Sequence, residues 1–221
     1  QVKRLWNKMQ AMAGVGDPGS IRRADEIVGQ TRDIEAGLKD KSDDQLRGQL
    51  GELKAGVDAA TADKRGELSA ARKELQAAKS GADEEKIGAA KKKVDGLVRE
   101  VNKLEFEEMD KIMPQVFALT SETSARQLKK RPYDVQLMAG TLLQRGKVVE
   151  QYTGEGKTIS ALAPTVLAAQ NGRGVHVATS SNYLAKRDAI EMAPVYNALG
   201  LSVAALTPDG KAVRINPPDG E

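Results

Sequence analysis

Apolar residues recur at helical spacing through the first half of the chain. After a break at 16–20 that contains Gly and Pro, the pattern predicts one helix over about 20–39 and another that begins near Ser42. Ser42 and Gln45 have the spacing of a capping box, in which each side chain bonds the other residue's backbone N–H. Residues 1–9 also place their apolar side chains on one helical face. That segment is either a basic amphipathic anchor for an acidic lipid surface or a partner, or a short helix that packs on its own protein.

From residue 61 onwards the apolar positions repeat at alternating spacings of three and four. They are Leu68, Ala71, Leu75, Ala78, Ile87, Ala90, Val94, Leu97, Val101 and Leu104. A turn at 80–82 interrupts this series, and Asp83 is placed to cap the helix that follows. The pattern predicts an antiparallel coiled-coil hairpin over 61–110. Such a hairpin serves either as a docking arm for a partner or as a solvated spacer.

In the second half, short apolar runs alternate with helical segments. Strands are predicted at 146–153, 174–180 and 201–206, and helices at 156–172 and 182–200. This alternation is typical of an α/β fold, in which helices cover a parallel sheet. The final segment, 207–221, is rich in Gly and Pro and is predicted to be loop. An exposed edge on a three-stranded sheet would also allow homodimerisation.

Composition narrows the function classes. The chain has 34 basic and 31 acidic residues and only 3% aromatic residues, so no broad nucleic-acid footprint is expected. It has no cysteine, which excludes disulfides and thiolate metal sites and fits a reducing compartment. No apolar run approaches the roughly 20 residues that span a bilayer, and the first residues lack the apolar core of a signal peptide. These features predict a cytoplasmic protein.

The stretch YTGEGKT lies between a predicted strand and a predicted helix, which is the context that a phosphate-binding loop requires. Gly154 and Gly156 would let backbone N–H groups turn towards phosphate oxygens, and the helix would add its positive N-terminal end. Lys157 could reach the β- and γ-phosphates, and the Thr158 hydroxyl could bind Mg²⁺. The full pattern has glycine where this chain has Gln151.

Several stretches occur together in a fixed order along the chain. They are SIRRADEIV, KSDDQLRGQL, IMPQVFALTSETSARQL, RPYDVQLMAGTLLQRGKVVEQYTGEGKT, GRGVHVATSSNYLAKRDA and YNALGLSV. Together they resemble the SecA family, the ATPases that drive preproteins through the bacterial Sec translocon. The resemblance covers nearly the whole chain except the hairpin, which looks like an insertion. It implies N-terminal helices over 1–60, the hairpin over 61–110 and, over 111–221, a partial parallel sheet of a P-loop, helicase-like nucleotide-binding domain.

The resemblance also implies that the chain binds ATP or ADP with Mg²⁺. The adenine-reading segment of the family maps onto Tyr133 and Gln136, so the Gln136 amide would pair with the adenine edge and Tyr133 would cover the ring. The phosphate-binding residues map onto Thr153, Gly154, Glu155, Gly156, Lys157 and Thr158, with Thr158 as the metal ligand. Since the family has Met at position 151, Gln151 is not a loss of an expected glycine.

As the resemblance implies, the chain would be the N-terminal part of a longer motor. The partners of that motor would be the Sec channel, an unfolded preprotein and an anionic membrane surface. It would lie on the cytoplasmic side, peripherally attached to the inner membrane. Such motors hydrolyse ATP with an acidic pair on a later strand. No adjacent Asp-Glu follows Lys157, so the chain itself is predicted not to hydrolyse ATP.

Two other function classes remain open. A nucleic-acid helicase-like translocase shares this type of loop, but it would need basic and aromatic residues that track a strand. The small net charge of +3 disfavours that class. A non-enzymatic interaction module would bind its partner through the hairpin and use the second half as a scaffold.

Overall fold

The computed structural model describes residues 17–81, 83–206 and 210–215. The elements in these ranges are α1 (Pro18–Ala36), α2 (Asp43–Ser80), α3 (Glu84–Gln127), α4 (Asp134–Gln144), α5 (Lys157–Ala169), α6 (Asn182–Ala198), β1 (Val203–Leu206) and β2 (Ala212–Ile215). The amphipathic helix predicted over 1–9 lies outside the described residues. None of the described helices combines the length and the apolar character needed to cross a bilayer.

Tertiary contacts divide the chain into two compact units. The hairpin unit is 51–112, and the larger unit contains 1–50 and 113–221. Helices α2 and α3 each contribute residues to both units. The division into three domains at 60 and 110 stays a prediction.

The hairpin unit consists of the facing parts of α2 and α3. Ion pairs join Lys64 to Glu100 at 3.2 Å and Glu74 to Lys93 at 2.8 Å. The later residue of α2 is paired with the earlier residue of α3, so the two helices run antiparallel. Asp83 caps α3 by accepting a hydrogen bond from the backbone N–H of Lys86 at 3.1 Å. The apolar contact between the helices is formed by Leu68, Ala71, Leu75, Val94, Leu97, Val98 and Val101. All of these except Val98 belong to the three–four series in the sequence.

The larger unit begins with two capped helices. Asp17 accepts a hydrogen bond from the backbone N–H of Gly19 at 3.1 Å and so caps α1. At the start of α2, Ser42 N donates to Gln45 Oε1 at 2.8 Å and Gln45 N donates to Ser42 Oγ at 3.2 Å, which confirms the predicted capping box. The buried apolar side chains of this unit include Ala24, Ile27, Val28, Leu46, Met113, Val116, Phe117, Leu137, Leu162, Val166, Leu167, Met192 and Val195.

Helices α4 and α5 pack closely at Gly140. A Cβ added to Gly140 would lie 3.0 Å from the backbone oxygen of Ser160, 3.1 Å from Cδ of Pro164 and 3.5 Å from the Phe117 ring. The first two neighbours are backbone and ring atoms of α5, so neither can rotate away. The absence of a side chain at Gly140 therefore sets the distance between the helix that carries Gln136 and the helix that follows the glycine loop.

Gly140→Ala is expected to destabilise the larger unit by about 1–2 kcal/mol, because overpacking of a tight contact outweighs the better helix propensity of alanine. Urea unfolding followed by intrinsic fluorescence measures this change. Gly29→Ala in α1 is the matched control, since a Cβ there meets nothing within 4 Å. That control is expected to be neutral or to stabilise the unit by less than about 1 kcal/mol. Equal effects of the two changes would contradict the packing explanation.

The parallel sheet predicted for the second half is not present in the part of the chain that the structure describes. Segments 147–152 and 174–179 have no regular secondary structure, and the side chain of Val148 is fully exposed. Strand β1 falls within the predicted 201–206 strand, but it pairs antiparallel with β2, from Val203 opposite Ile215 to Leu206 opposite Ala212. Strand β2 itself lies in the segment predicted to be loop. The α/β prediction with a partial parallel sheet is therefore wrong, and the regular secondary structure of the described residues is helical apart from this two-stranded sheet.

The predicted parallel strands are not formed because a β-strand is stable only when it is hydrogen-bonded to a neighbouring strand. A parallel strand needs hydrogen-bonded partners at its edges and helices on its faces. Within the described residues, 147–152 and 174–179 pair neither with each other nor with another strand. The β-branched residues of both segments favour an extended backbone, but they do not provide a neighbouring strand to which that backbone could hydrogen-bond.

Candidate functional site

The glycine loop that precedes α5 holds most of the predicted site residues. Gly154 and Gly156 have φ angles of +88° and +82°, in the left-handed region that favours glycine. Gly156 is the N-cap of α5, and it makes no side-chain cap hydrogen bond. Because the first N–H groups of a helix have no partner within the helix, this end of α5 offers donors to an anion.

The side chains of the loop mostly point to solvent. The exposed Lys157 bends back over the loop, and its Nζ donates to the backbone oxygen of Tyr152 at 3.0 Å. The carboxylate of Glu155 accepts from the backbone N–H of Tyr152 at 2.9 Å, which closes the loop on itself. Thr153 is exposed and Thr158, in the first turn of α5, is half-buried.

Gln136 of α4 connects the loop to the segment that contains Tyr133. Its Oε1 accepts from the backbone N–H of Tyr133 at 2.9 Å, and its Nε2 donates to the backbone oxygen of Glu155 at 2.8 Å. A Cβ added to Gly156 would overlap Nε2 of Gln136. An amide has two N–H groups and two acceptor lone pairs, so these two bonds use half of its capacity.

Tyr133 is the N-cap residue of α4, and its residue surface is 70% exposed. The structure thus brings Gln136 into direct contact with the loop and leaves the Tyr133 ring open to solvent. Pairing of Gln136 with an adenine edge and stacking of Tyr133 on the ring stay predictions.

Gln151 occupies the position where the full phosphate-loop pattern has glycine. Its Nε2 donates to Oγ of Ser160 at 3.0 Å, and that hydroxyl donates to the backbone oxygen of Gly156 at 3.3 Å. The side chain of Gln151 therefore joins the first turn of α5 to the residues before the loop.

A second group of polar residues contacts the segment that precedes Tyr133, and the sequence patterns did not identify this group. Two buried carboxylates, Glu35 of α1 and Glu122 of α3, both bind the guanidinium of Arg131. Arg126 donates from Nε to the Glu122 carboxylate at 2.8 Å. Burial alone would raise the pKa of Glu122, but the hydrogen bonds from Arg131 and Arg126 outweigh it and hold that pKa below its usual value.

The arrangement fits a bound phosphate group better than a metal held by protein alone. In the described ranges, no group of three or more His, Cys, Asp or Glu side chains could hold a metal ion. Thr158 provides one hydroxyl, so a Mg²⁺ ion at this residue would take its other ligands from phosphate oxygens and water. Two left-handed glycines, an N-terminus of α5 without a capping side chain and an exposed lysine together provide donors suited to phosphate.

Comparison with known proteins identifies the family. The model of the SecA DEAD-like domain matches residues 9–214. The protein translocase subunit SecA of Fervidobacterium nodosum is 49% identical over 114 residues, which are 51% of this chain and 13% of the relative. SecA of Thermosipho africanus is 48% identical over 109 residues, or 49% of this chain and 13% of the relative. SecA of Xanthomonas campestris pv. campestris is 52% identical over 102 residues, which cover 46% of this chain and 11% of the relative.

The matched part of the chain thus spans only 11–13% of the length of these curated relatives. The family model, in contrast, covers most of the chain, including the glycine loop and the Tyr133 segment. The chain belongs to the SecA DEAD-like domain family.

Proposed function

We propose that the chain is the nucleotide-binding part of a SecA-type protein translocase and binds ATP or ADP with Mg²⁺ at 153–158. The observation that carries this proposal is the geometry of the loop: Gly154 and Gly156 in left-handed conformations at the uncapped start of α5, with Gln136 bonded to the loop backbone. Backbone N–H groups at such a helix end bind phosphate oxygens without a further charged side chain.

Each side chain of the site has a role in this proposal. Lys157 exchanges its bond with the Tyr152 oxygen for phosphate oxygens, and Thr158 supplies a hydroxyl ligand to Mg²⁺. Gln136 uses its remaining N–H and lone pair for the adenine edge, while the exposed ring of Tyr133 covers the base. Glu155 holds the loop closed by accepting from the backbone N–H of Tyr152, and Thr153 is the first residue of the phosphate-binding loop. In a longer protein that supplies the hydrolytic residues, bound ATP would provide the free energy of phosphoryl transfer that drives the motor.

The name of the relatives gives the wider context. They are protein translocase subunits, and we propose that a protein containing this chain moves unfolded preproteins through the Sec channel. Its contacts would then include that channel, the preprotein and the anionic surface of the inner membrane, with the nucleotide site on the cytoplasmic side.

Replacing Lys157 tests the nucleotide proposal directly. The unmodified chain is expected to bind a fluorescent ADP in the presence of Mg²⁺. Lys157→Ala is expected to bind it at least about tenfold more weakly, because a charge-assisted hydrogen bond contributes roughly 1.5–3 kcal/mol. Fluorescence anisotropy across a protein titration gives both dissociation constants.

Lys147→Ala is the control for charge, since Lys147 is also an exposed lysine before α5 but lies outside the glycine loop. Its affinity for the fluorescent ADP is expected to match that of the unmodified chain. A chain that binds no ADP, or a Lys157→Ala variant with unchanged affinity, would contradict the proposed site.

A further inference from the structure

A single arginine of α1 holds the chain on both sides of Tyr133. Nη2 of Arg32 donates to the backbone oxygen of Pro132 at 2.6 Å, and Nε donates to Oδ1 of Asp134 at 3.0 Å. Pro132 precedes Tyr133 and Asp134 follows it as the first residue of α4. No residue type other than arginine presents donors in a planar fork that can bind both groups at once.

Two further hydrogen bonds fix the orientation of the Arg32 guanidinium. Nη1 of Arg32 donates to Oε2 of Glu35 at 2.5 Å and to Oγ of Ser121 at 3.3 Å. Glu35 is only 3% exposed, and its other oxygen binds Arg131. Arg32 therefore has a defined orientation, set by α1 and α3, before it contacts the Tyr133 segment.

The segment that Arg32 holds has no regular secondary structure of its own. Residues 128–133 form neither helix nor strand, so side chains rather than a backbone ladder determine their position. Ser124 anchors the start of the segment by donating to the backbone oxygen of Lys130 at 2.7 Å. Arg32 anchors its end, and from there Tyr133 and Gln136 continue to the glycine loop through their hydrogen bonds.

We propose that Arg32 is the residue that positions the base-binding side of the nucleotide site. By fixing Pro132 and Asp134, it sets the place of the Tyr133 ring and the start of α4, and so the orientation of the Gln136 amide. The phosphate side depends instead on backbone groups of α5. The proposal rests on the proposed function and adds to it a residue that governs affinity for the base without touching the nucleotide.

Two ligands separate the two sides of the site: Mg²⁺ with ADP, and Mg²⁺ with inorganic pyrophosphate, which lacks the base. Calorimetric titration of the full chain measures both. Arg32→Gln is expected to weaken ADP binding about tenfold and pyrophosphate binding by no more than about twofold. Arg32→Lys is expected to resemble Arg32→Gln, since lysine keeps the charge but loses the fork. Arg22→Gln, which removes an exposed arginine from the same helix, is the control and is expected to change neither affinity.

A measurement without nucleotide tests the positioning itself. Amide hydrogen exchange at 133–137 is expected to be about tenfold faster in Arg32→Gln, with no change in α5. If Arg32→Gln fails to fold, Asp134→Ala serves instead, because it removes the carboxylate that accepts from Nε of Arg32, and that side chain is 46% exposed.

The outcomes distinguish the two proposals. If the unmodified chain binds ADP and Arg32→Gln binds it equally well, the inference fails and the nucleotide site stands. Equal weakening of ADP and pyrophosphate, or full recovery by Arg32→Lys, also overturns the inference, because the first indicates general destabilisation and the second indicates charge alone. If the unmodified chain binds neither ligand, the proposed function fails and the inference fails with it.

Discussion

Glu122→Gln is expected to lower the free energy of unfolding of the larger unit by about 3 kcal/mol, at the low end of the range for breaking a buried ion pair. The Glu122 side chain is 6% exposed, and its two oxygens bind Arg126 and Arg131. Glutamine preserves the shape but removes the charge, and it turns an N–H₂ group towards one of two cations. Because the arginine side chains are 23% and 41% exposed, water can compensate part of the loss.

Glu122→Gln should also destabilise residues beyond the two ion pairs of Glu122. Arg126 donates to the backbone oxygens of Leu38 at 3.0 Å and Lys41 at 2.7 Å, in the connection between α1 and α2. Glu122 orients that guanidinium, so its removal is expected to loosen the connection as well as the end of α3. This is why a neutral, isosteric change should have a large effect.

Urea unfolding followed by intrinsic fluorescence measures this change in the relevant unit. All four tyrosines lie outside 51–112, so tyrosine fluorescence reports on the larger unit and not on the hairpin. A loss of 3 kcal/mol corresponds to a midpoint roughly 1–3 M lower in urea. Glu26→Gln, which breaks an exposed pair with Arg23 in α1, is the control and is expected to cost less than about 1 kcal/mol. Similar midpoints for both variants would show that the buried carboxylate is not a main support of the unit.

The contribution of the Glu122 ion pairs to the free energy of unfolding should also depend on pH. The pKa of Glu122 is lower in the folded chain than its ordinary value of 4.5. A lowered folded pKa means that this contribution is fully present above the unfolded pKa and is lost as the pH falls through the folded pKa. The difference in stability between the unmodified chain and Glu122→Gln is therefore expected to be constant near neutral pH and to shrink below about pH 4.5. A difference that stays constant down to pH 2 would contradict this assignment.

Helices were predictable from this sequence because their signals are local. The Ser42–Gln45 capping box, the Asp83 cap and the three–four series of the hairpin each lie within a few residues of what they determine. The sheet was not predictable in this way, since the signal for a strand says nothing about its partner. Segment 174–179 has the composition of a strand and no partner in the described residues, whereas β2 was predicted as loop and forms a strand because β1 lies beside it.

The same distinction between local and distant sequence signals applies to the candidate site. The glycine loop is contiguous in sequence, and its residues could be identified from spacing and from resemblance. The group formed by Arg32, Glu35, Glu122 and Arg131 could not, because it joins residues that are about 90–100 positions apart. A run of basic residues at 129–131 gives no sequence signal that one of them binds two buried carboxylates.

Gly156→Ala is expected to weaken binding of Mg²⁺-ADP at least about a hundredfold, which is the larger of the effects expected in the loop. Two costs add at this position. The φ angle of +82° lies in the left-handed region, where a side chain costs about 1–2 kcal/mol. In addition, the new Cβ would overlap Nε2 of Gln136, a buried side chain.

The Gln136 amide can move aside only by giving up the bond to Glu155 or the bond to Tyr133, each worth about 1 kcal/mol. Either movement would separate the base side of the site from the phosphate side. The expected result is therefore a folded chain whose two half-sites no longer bind the nucleotide together.

Gly154→Ala separates the two costs. Its φ angle of +88° imposes the same backbone strain, but a Cβ there meets nothing within 4 Å. Its expected loss of affinity is about tenfold, from strain alone. Equal losses for Gly154→Ala and Gly156→Ala, measured by titration of fluorescent ADP, would contradict the overlap with Gln136.

A double-mutant cycle completes the argument. Gln136→Ala removes the atom that the Gly156→Ala methyl group would overlap, so the double variant is expected to lose less affinity than the sum of the two single losses. The coupling should be about 1 kcal/mol or more, since the bonds and the overlap involve the same amide. Strict additivity would mean that Gln136 and Gly156 act independently, and the direct link between α4 and the glycine loop would then play no part in nucleotide binding.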